Sequence, residues 1–229
     1  MSTAPRTIGI LGAGKVGTAI ARQALRAGYR VLIAGSGDPE RIRLLTSIMA
    51  PGATATMADE AVTGSDLVVL ALPLHKYGTL DPSVLDGAIV VDTMNYWAEQ
   101  NGVMEALDDA PSSSELVQEL LAGARLVKSL NHIGYHELEE NAAPAGTPGR
   151  RALAAAGDDD EARAAVLTFL DRLGFDAVDA GPLRHGAAFE PGTAVFDGRF
   201  DRAGLEARLA ADVAALREPL VRGRRAPGT

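Results

Sequence analysis

Short apolar runs alternate along the chain with segments whose apolar positions recur at helical spacing. The runs lie at Thr7–Leu11, Arg30–Ala34, 54–56, 67–72, 88–92, 125–130, 152–156 and 176–179. Several are unbroken Val, Ile and Leu rather than alternating, the mark of strands covered on both faces. After the first run, Val16, Ala19, Ile20, Gln23, Ala24 and Ala27 share one face of a helix predicted over 15–27, with Gly28 as its stop. Further helices are expected over 58–65, from Ser112 through 121 behind serine N-caps, and after Asp158, Asp159 and Asp160, which suit a helix N-terminus. Strands interleaved with helices predict an α/β fold with a doubly wound parallel sheet. Past Pro182 the periodicity fades. It returns as a narrow stripe of Leu205, Leu209, Val213, Leu216 and Leu220 on one long helix. The expected organisation is a domain over 1–183 and a small C-terminal extension over 184–229 that ends in this helix. So narrow a stripe is expected to pack on a second copy of the chain, making a homodimer. The basic tail 222–229 is expected to be disordered.

The first strand runs directly into Gly12-Ala13-Gly14-Lys15-Val16-Gly17 and then the first helix. This G-x-G-x-x-G spacing is the dinucleotide-binding fingerprint of a Rossmann-type sheet, and strand, turn and helix give it the context it needs. Gly12 permits the sharp turn, Gly14 carries no Cβ to hold a pyrophosphate away, and Gly17 lets helix and strand approach. The helix N-terminus offers unpaired N–H groups to phosphate.

The second strand ends in Ala34-Gly35-Ser36-Gly37, where an NAD site would carry an acid for the ribose 2′-hydroxyl. Ser36 can instead donate to a 2′-phosphate, with Arg41 and Arg43 supplying positive charge, so NADP is the favoured nucleotide. Asp38 is the counter-indication. Ligands in such sheets bind outside the carboxyl ends of the strands. Leu72, Pro73 and His75 follow the fourth strand, Asn95, Tyr96 and Trp97 the fifth, and Asn131 the sixth. Asn95, Asn131 and His75 are the candidate reaction-site residues, and Trp97 is either a ring platform or a core cap. His132 and His136 stand four apart, a metal-ligand spacing on a helix, but Gly134 breaks the helix and no third ligand is offered, so no metal is expected. Glu137, Glu139 and Glu140 are read as a solvated face. Residues 141–151, rich in Ala, Pro and Gly, are a loop that would serve as a lid.

Composition narrows the classes. The net charge of −8 gives no general attraction to nucleic acid or anionic membranes, and the absence of cysteine removes disulfides and thiolate chemistry. No apolar stretch is long enough to cross a membrane and none follows the first residues as a leader would, so a cytoplasmic location is expected.

On Gly12 to Gly17, Gly35-Ser36, Leu72-Pro73, Lys128-Ser129-Leu130-Asn131, Gly157 to Asp160 and Asp179 to Leu183, the chain resembles the deazaflavin-dependent NADP reductases, which exchange hydride between NADP(H) and coenzyme F420. The resemblance spans about 7–183. It implies that Ser36 contacts the 2′-phosphate, that Leu72, Pro73 and Asn95 line the nicotinamide side, and that Asn131 stands near the same crevice. Two features depart from the family. Gly37 stands where an arginine often follows the serine, and the region after Leu183 lacks the family's apolar segment beside the deazaflavin. A flavin-like acceptor therefore stays open beside coenzyme F420. Hydroxyacid and imine dehydrogenases are disfavoured, because they add a large helical domain with a catalytic lysine and 184–229 contains no lysine. The alternative is a nucleotide-binding sensor that follows NADP state without turnover.

Overall fold

The computed structural model describes residues 6–102, 104, 107 and 112–216. Its strands are β1 (Thr7–Leu11), β2 (Arg30–Ala34), β3 (Thr54–Ala55), β4 (Leu67–Leu70), β5 (Ile89–Asp92), β6 (Arg125–Ser129), β7 (Ala152–Gly157) and β8 (Asp176–Gly181). They form one eight-stranded sheet in the order β3-β2-β1-β4-β5-β6-β7-β8. The helices are α1 (Lys15–Arg26), α2 (Glu40–Met49), α3 (Ala58–Thr63), α4 (Pro82–Leu85), α5 (Ala98–Asn101), α6 (Ser113–Leu120), α7 (Glu137–Glu140), α8 (Asp160–Leu173), α9 (Ala194–Asp197) and α10 (Arg202–Ala215).

Unbroken apolar strands bury both faces, as their composition requires. Ile8, Ile10, Leu67 and Val69 enter one core layer with Ala19 and Ile20 of α1 and Phe169 and Leu170 of α8. Leu11, Val68, Leu70 and Val90 enter the other with Ala61 of α3 and Val117 of α6. The order reverses at β1, which places a crevice between the ends of β1 and β4, where ligands bind in open sheets of this kind.

The sheet is not wholly parallel. β7 runs antiparallel to β6, and β8 runs parallel to β7. A parallel step needs a crossover long enough to carry the chain back to the other end of the sheet. Between β6 and β7 the only described helix is the single turn α7, so the chain re-enters the sheet from the end where it left.

The C-terminal stripe finds apolar partners within the chain. Leu205 and Leu209 of α10 are buried against Ala152, Ala154 and Val178 of β7 and β8, together with Phe189 and Val195, and Val213 packs on the same cluster. This part of the stripe covers the chain's own sheet, while Leu216 is exposed. Leu220 and the tail 222–229 lie outside the described residues. Among the described residues no helix is long and apolar enough to cross a membrane.

Candidate functional site

The glycine turn sits at the reversal point. Gly12 has φ +126°, and a Cβ there would stand 2.1 Å from the Ala71 carbonyl oxygen. Its N–H donates to the Ala34 carbonyl at 2.8 Å, tying the turn to β2. A Cβ on Gly17 would stand 1.8 Å from the Gly12 carbonyl oxygen, so helix and turn touch there. Gly14 differs: a Cβ there meets nothing within 4 Å. The protein itself leaves that space open, on the side a pyrophosphate would take. Gly14 caps α1 without any side-chain hydrogen bond, and the first turn carries no acid. The unpaired N–H groups and the positive end of the dipole suit a phosphate. The cradle fits a dinucleotide.

A crevice of about 500 Å³ opens beside it. Gly14, Lys15 and Val16 form one wall, the segment from Ala71 to His75 another, and Thr93, Met94 and Asn95 the end of β5. Val16, expected on the buried face of α1, is 37% exposed and faces this space. Trp97 and Tyr135 complete the lining. The Trp97 ring meets Phe196 of α9 edge-on at 5.5 Å, and Lys15 Nζ lies 5.7 Å from the centre of the Tyr135 ring. Tyr135 escaped the sequence reading because its segment has no periodicity. Ser36 and Arg41 lie exposed beyond the end of β2, whose Ala34 carbonyl meets the glycine turn, and outside the lining of the crevice. Arg43 pairs with Glu40 on the same helix, and Asp38 accepts the Glu40 N–H, so Arg41 is the better placed cation.

Asn95 and Asn131 come together, but at different depths. Asn95 lines the crevice, whereas Asn131 lies buried beneath it. Asn95 Nδ2 donates to the Asn131 carbonyl at 2.8 Å, and Asn131 Nδ2 donates to Asn95 Oδ1 at 3.1 Å. Leu130, just before Asn131, has φ +60°, the only non-glycine with positive φ among the described residues. A leucine is strained in that conformation, which persists only where surroundings hold it. His132 is buried against the Phe189 ring at 4.9 Å. Burial, with Arg151 and Lys128 nearby, holds its pKa down at about 3. Both its ring nitrogens face protein partners, Ala154 N–H and Asn131 Oδ1, leaving no lone pair for a metal.

Below this layer lies a buried ion pair that sequence reasoning missed. Lys128 Nζ meets Asp92 Oδ2 at 3.2 Å, the Met94 carbonyl at 2.6 Å and Ser113 Oγ at 3.2 Å. Asp92 accepts the Met94 N–H at 2.9 Å and the Ser114 hydroxyl at 2.6 Å. Met94 is thereby held at both its N–H and its carbonyl, and Asn95 follows directly. The signal in the sequence was an acid closing one apolar run, Asp92, and a lysine in the middle of the next, Lys128. Asp92 and Lys128 are register partners in β5 and β6.

Other expectations change. The loop 141–151 lines no part of the crevice. Arg150 pins it, donating to the Ala143 carbonyl and pairing with Asp171 and Asp176. Glu137 and Glu139 are not a solvated face, since Glu137 pairs with Arg151 and Glu139 with Arg22. Asp159 caps α8 through Ala162 N–H, as its position implies. A second depression of about 560 Å³, bordered by Glu115, Arg125 and Asp159, lies at the starting end of β6, away from the glycine turn.

Residues 7–96 match the family model described as NADP oxidoreductase coenzyme F420-dependent. The match covers the glycine turn, Ser36, Leu72, Pro73 and Asn95, and supports NADP-linked oxidoreduction. A hypothetical protein of Sinorhizobium meliloti is similar, with 29% identity and a TM-score of 0.74 over 86% of this chain and 95% of that one. An Arthrobacter sp. FB24 protein, provisionally assigned as an F420-dependent NADP reductase, shares the fold at 24% identity and a TM-score of 0.67, over 80% of this chain and 88% of that one. The 3-hydroxyisobutyrate dehydrogenase of Mycobacterium tuberculosis shares it at 17% identity and a TM-score of 0.57, over 80% of this chain and 57% of that one. No curated protein matches the sequence.

Proposed function

We propose that this protein is an NADP-dependent oxidoreductase that passes hydride between NADP(H) and a flat ring acceptor of the deazaflavin class, coenzyme F420, or a related flavin. The observation that carries the reading is the crevice itself. It joins an open phosphate cradle to an apolar slot with Trp97 and Tyr135 in its lining. Reduced NADP supplies the hydride, and a proton from water completes the reduced acceptor. The glycine turn and α1 hold the pyrophosphate. Ser36 and Arg41 hold the 2′-phosphate. Leu72, Pro73 and Asn95 position the ring, and the apolar lining excludes water. What the protein contributes is proximity and orientation, which need no acid–base pair. His75 lines the crevice and places a ring rather than moving an obligatory proton.

The test is a titration with NADPH and NADH, followed by anaerobic mixing with the oxidised acceptors. NADPH is expected to bind more tightly than NADH and to reduce the deazaflavin. Ser36→Glu should weaken NADPH by about 1–3 kcal/mol, through a lost charged hydrogen bond and added repulsion, while sparing NADH. Equal affinities for the two nucleotides would contradict the phosphate assignment. Tight NADPH binding with no acceptor reduced would favour the sensor reading.

A further inference from the structure

We propose that His132 is a positioning residue for Asn95, acting through Asn131 to present a preset carboxamide to an amide-bearing ring in the crevice. The inference rests on the nucleotide reading above and names the part of the ligand that Asn95 meets.

Three backbone groups determine the whole network. The Asn131 carbonyl can only accept, so the group facing it at 2.8 Å is the Asn95 NH2. The Phe189 carbonyl can only accept, so the group facing it at 2.8 Å is the Asn131 NH2. The Ala154 N–H can only donate, and it points at His132 Nε2 at 3.0 Å, so that nitrogen keeps its lone pair. A neutral imidazole then carries its proton on Nδ1. Nδ1 lies 3.1 Å from Asn131 Oδ1, which is the oxygen by the preceding step and accepts. Every polar atom of the Asn131 side chain is now assigned. Its NH2 also reaches Asn95 Oδ1 at 3.1 Å. Rotating either amide by half a turn would set donor against donor or acceptor against acceptor.

Asn95 uses one N–H and one lone pair on this network. One N–H and one lone pair remain, on the side chain that borders the crevice. A donor and an acceptor on the same planar group recognise another amide. That class includes a primary carboxamide on a ring and a ring N–H beside a carbonyl. Phe189, whose carbonyl anchors Asn131 and whose ring covers His132, comes from the segment after Pro182. The C-terminal extension thus supports the ring end of the site from below, although it does not line the crevice with an apolar segment of its own.

The test combines three single variants and the double variant His132→Leu/Asn95→Ala with two ligands. His132→Leu removes both ring hydrogen bonds, and His132→Gln can restore an acceptor and a donor. NADPH and 2′-phospho-ADP-ribose, which lacks the nicotinamide, are titrated in parallel against wild type, both His132 variants, Asn95→Ala and the double variant. His132→Leu is expected to weaken NADPH about fivefold to tenfold, the worth of one or two neutral hydrogen bonds. It should leave 2′-phospho-ADP-ribose unchanged, be partly rescued by His132→Gln, and add no further loss to Asn95→Ala. Additive losses, or unchanged NADPH binding and turnover in His132→Leu, would overturn the proposal. If wild type binds neither ligand, the nucleotide reading itself fails. Nitrogen NMR of the wild-type protein needs no variant to fold. It should show His132 neutral with its proton on Nδ1 at pH 5–8, and a proton on Nε2 would overturn the proposal.

Discussion

Gly12 and Gly14 sit two residues apart and are needed for different reasons. At Gly12 the left-handed φ and the Ala71 carbonyl exclude any side chain, so the requirement belongs to the protein. At Gly14 the protein leaves room, so the requirement belongs to the ligand. Gly14→Val is therefore expected to fold with little change in melting temperature and to lose nucleotide binding. Gly12→Ala should destabilise the fold as well. A thermal melt and an NADPH titration on each variant separate the two, and a Gly14→Val protein that binds NADPH normally would contradict the cradle. His132 gives a second prediction at this scale. Its folded pKa of about 3 lies below the ordinary 6.5, so between those values the unfolded chain binds a proton that the folded chain does not. Its contribution to stability is complete well above pH 6.5 and is lost as pH falls towards 3, at up to about 1.4 kcal/mol per pH unit. Unfolding free energies from pH 7 to pH 5 should fall more steeply in wild type than in His132→Gln. Parallel curves would show that His132 is not held neutral.

Strand ends carry the site, and the helices and turns beneath them hold those ends still. β5 and β6 are joined by Asp92 and Lys128, both fully buried in side chain. Their pairing fixes the peptide of Met94 just before Asn95. Removing one partner of such a pair leaves a bare charge in the core, which costs about 3–5 kcal/mol. Lys128→Met should lower stability by that order in denaturant melts and disturb the ring end of the crevice more than the phosphate cradle. A variant as stable as wild type would mean that the pair contributes no net stabilisation. The strands were legible from unbroken Val, Ile and Leu, and the glycine turn from its spacing. The direction of β7 was not legible, because it depends on where the chain travels between residues 130 and 151. Nor was the depth of Asn131. Both asparagines follow strands, yet the left-handed turn at Leu130 sends one side chain under the other. Asp92 and Lys128 showed only as charges set in apolar runs, and their meeting depends on strand register.

At the scale of the molecule, one sheet divides the work. The glycine turn after β1 and the ends of β4 and β5 border the crevice, and Asn131 after β6 lies beneath it. β7 and β8 carry the C-terminal segment. Small alanines in β7 let Phe189, Leu205 and Leu209 pack closely, so the first half of the stripe on α10 is buried inside the chain. Its periodicity was readable, but its partner was not, since any apolar surface of the right width would satisfy it. The segment's tie to the site runs through the Phe189 carbonyl and the contact of Phe196 with Trp97. Direct hydride transfer between two rings brought together in the crevice is tested by mixing the protein anaerobically with oxidised coenzyme F420 and NADPH deuterated at one or the other face of nicotinamide carbon 4, then weighing the reduced acceptor. One of the two labelled forms is expected to deliver its deuterium to the acceptor without dilution by water. Loss of the label to solvent from both forms, or binding of NADPH with no reduction of the acceptor, would contradict direct transfer.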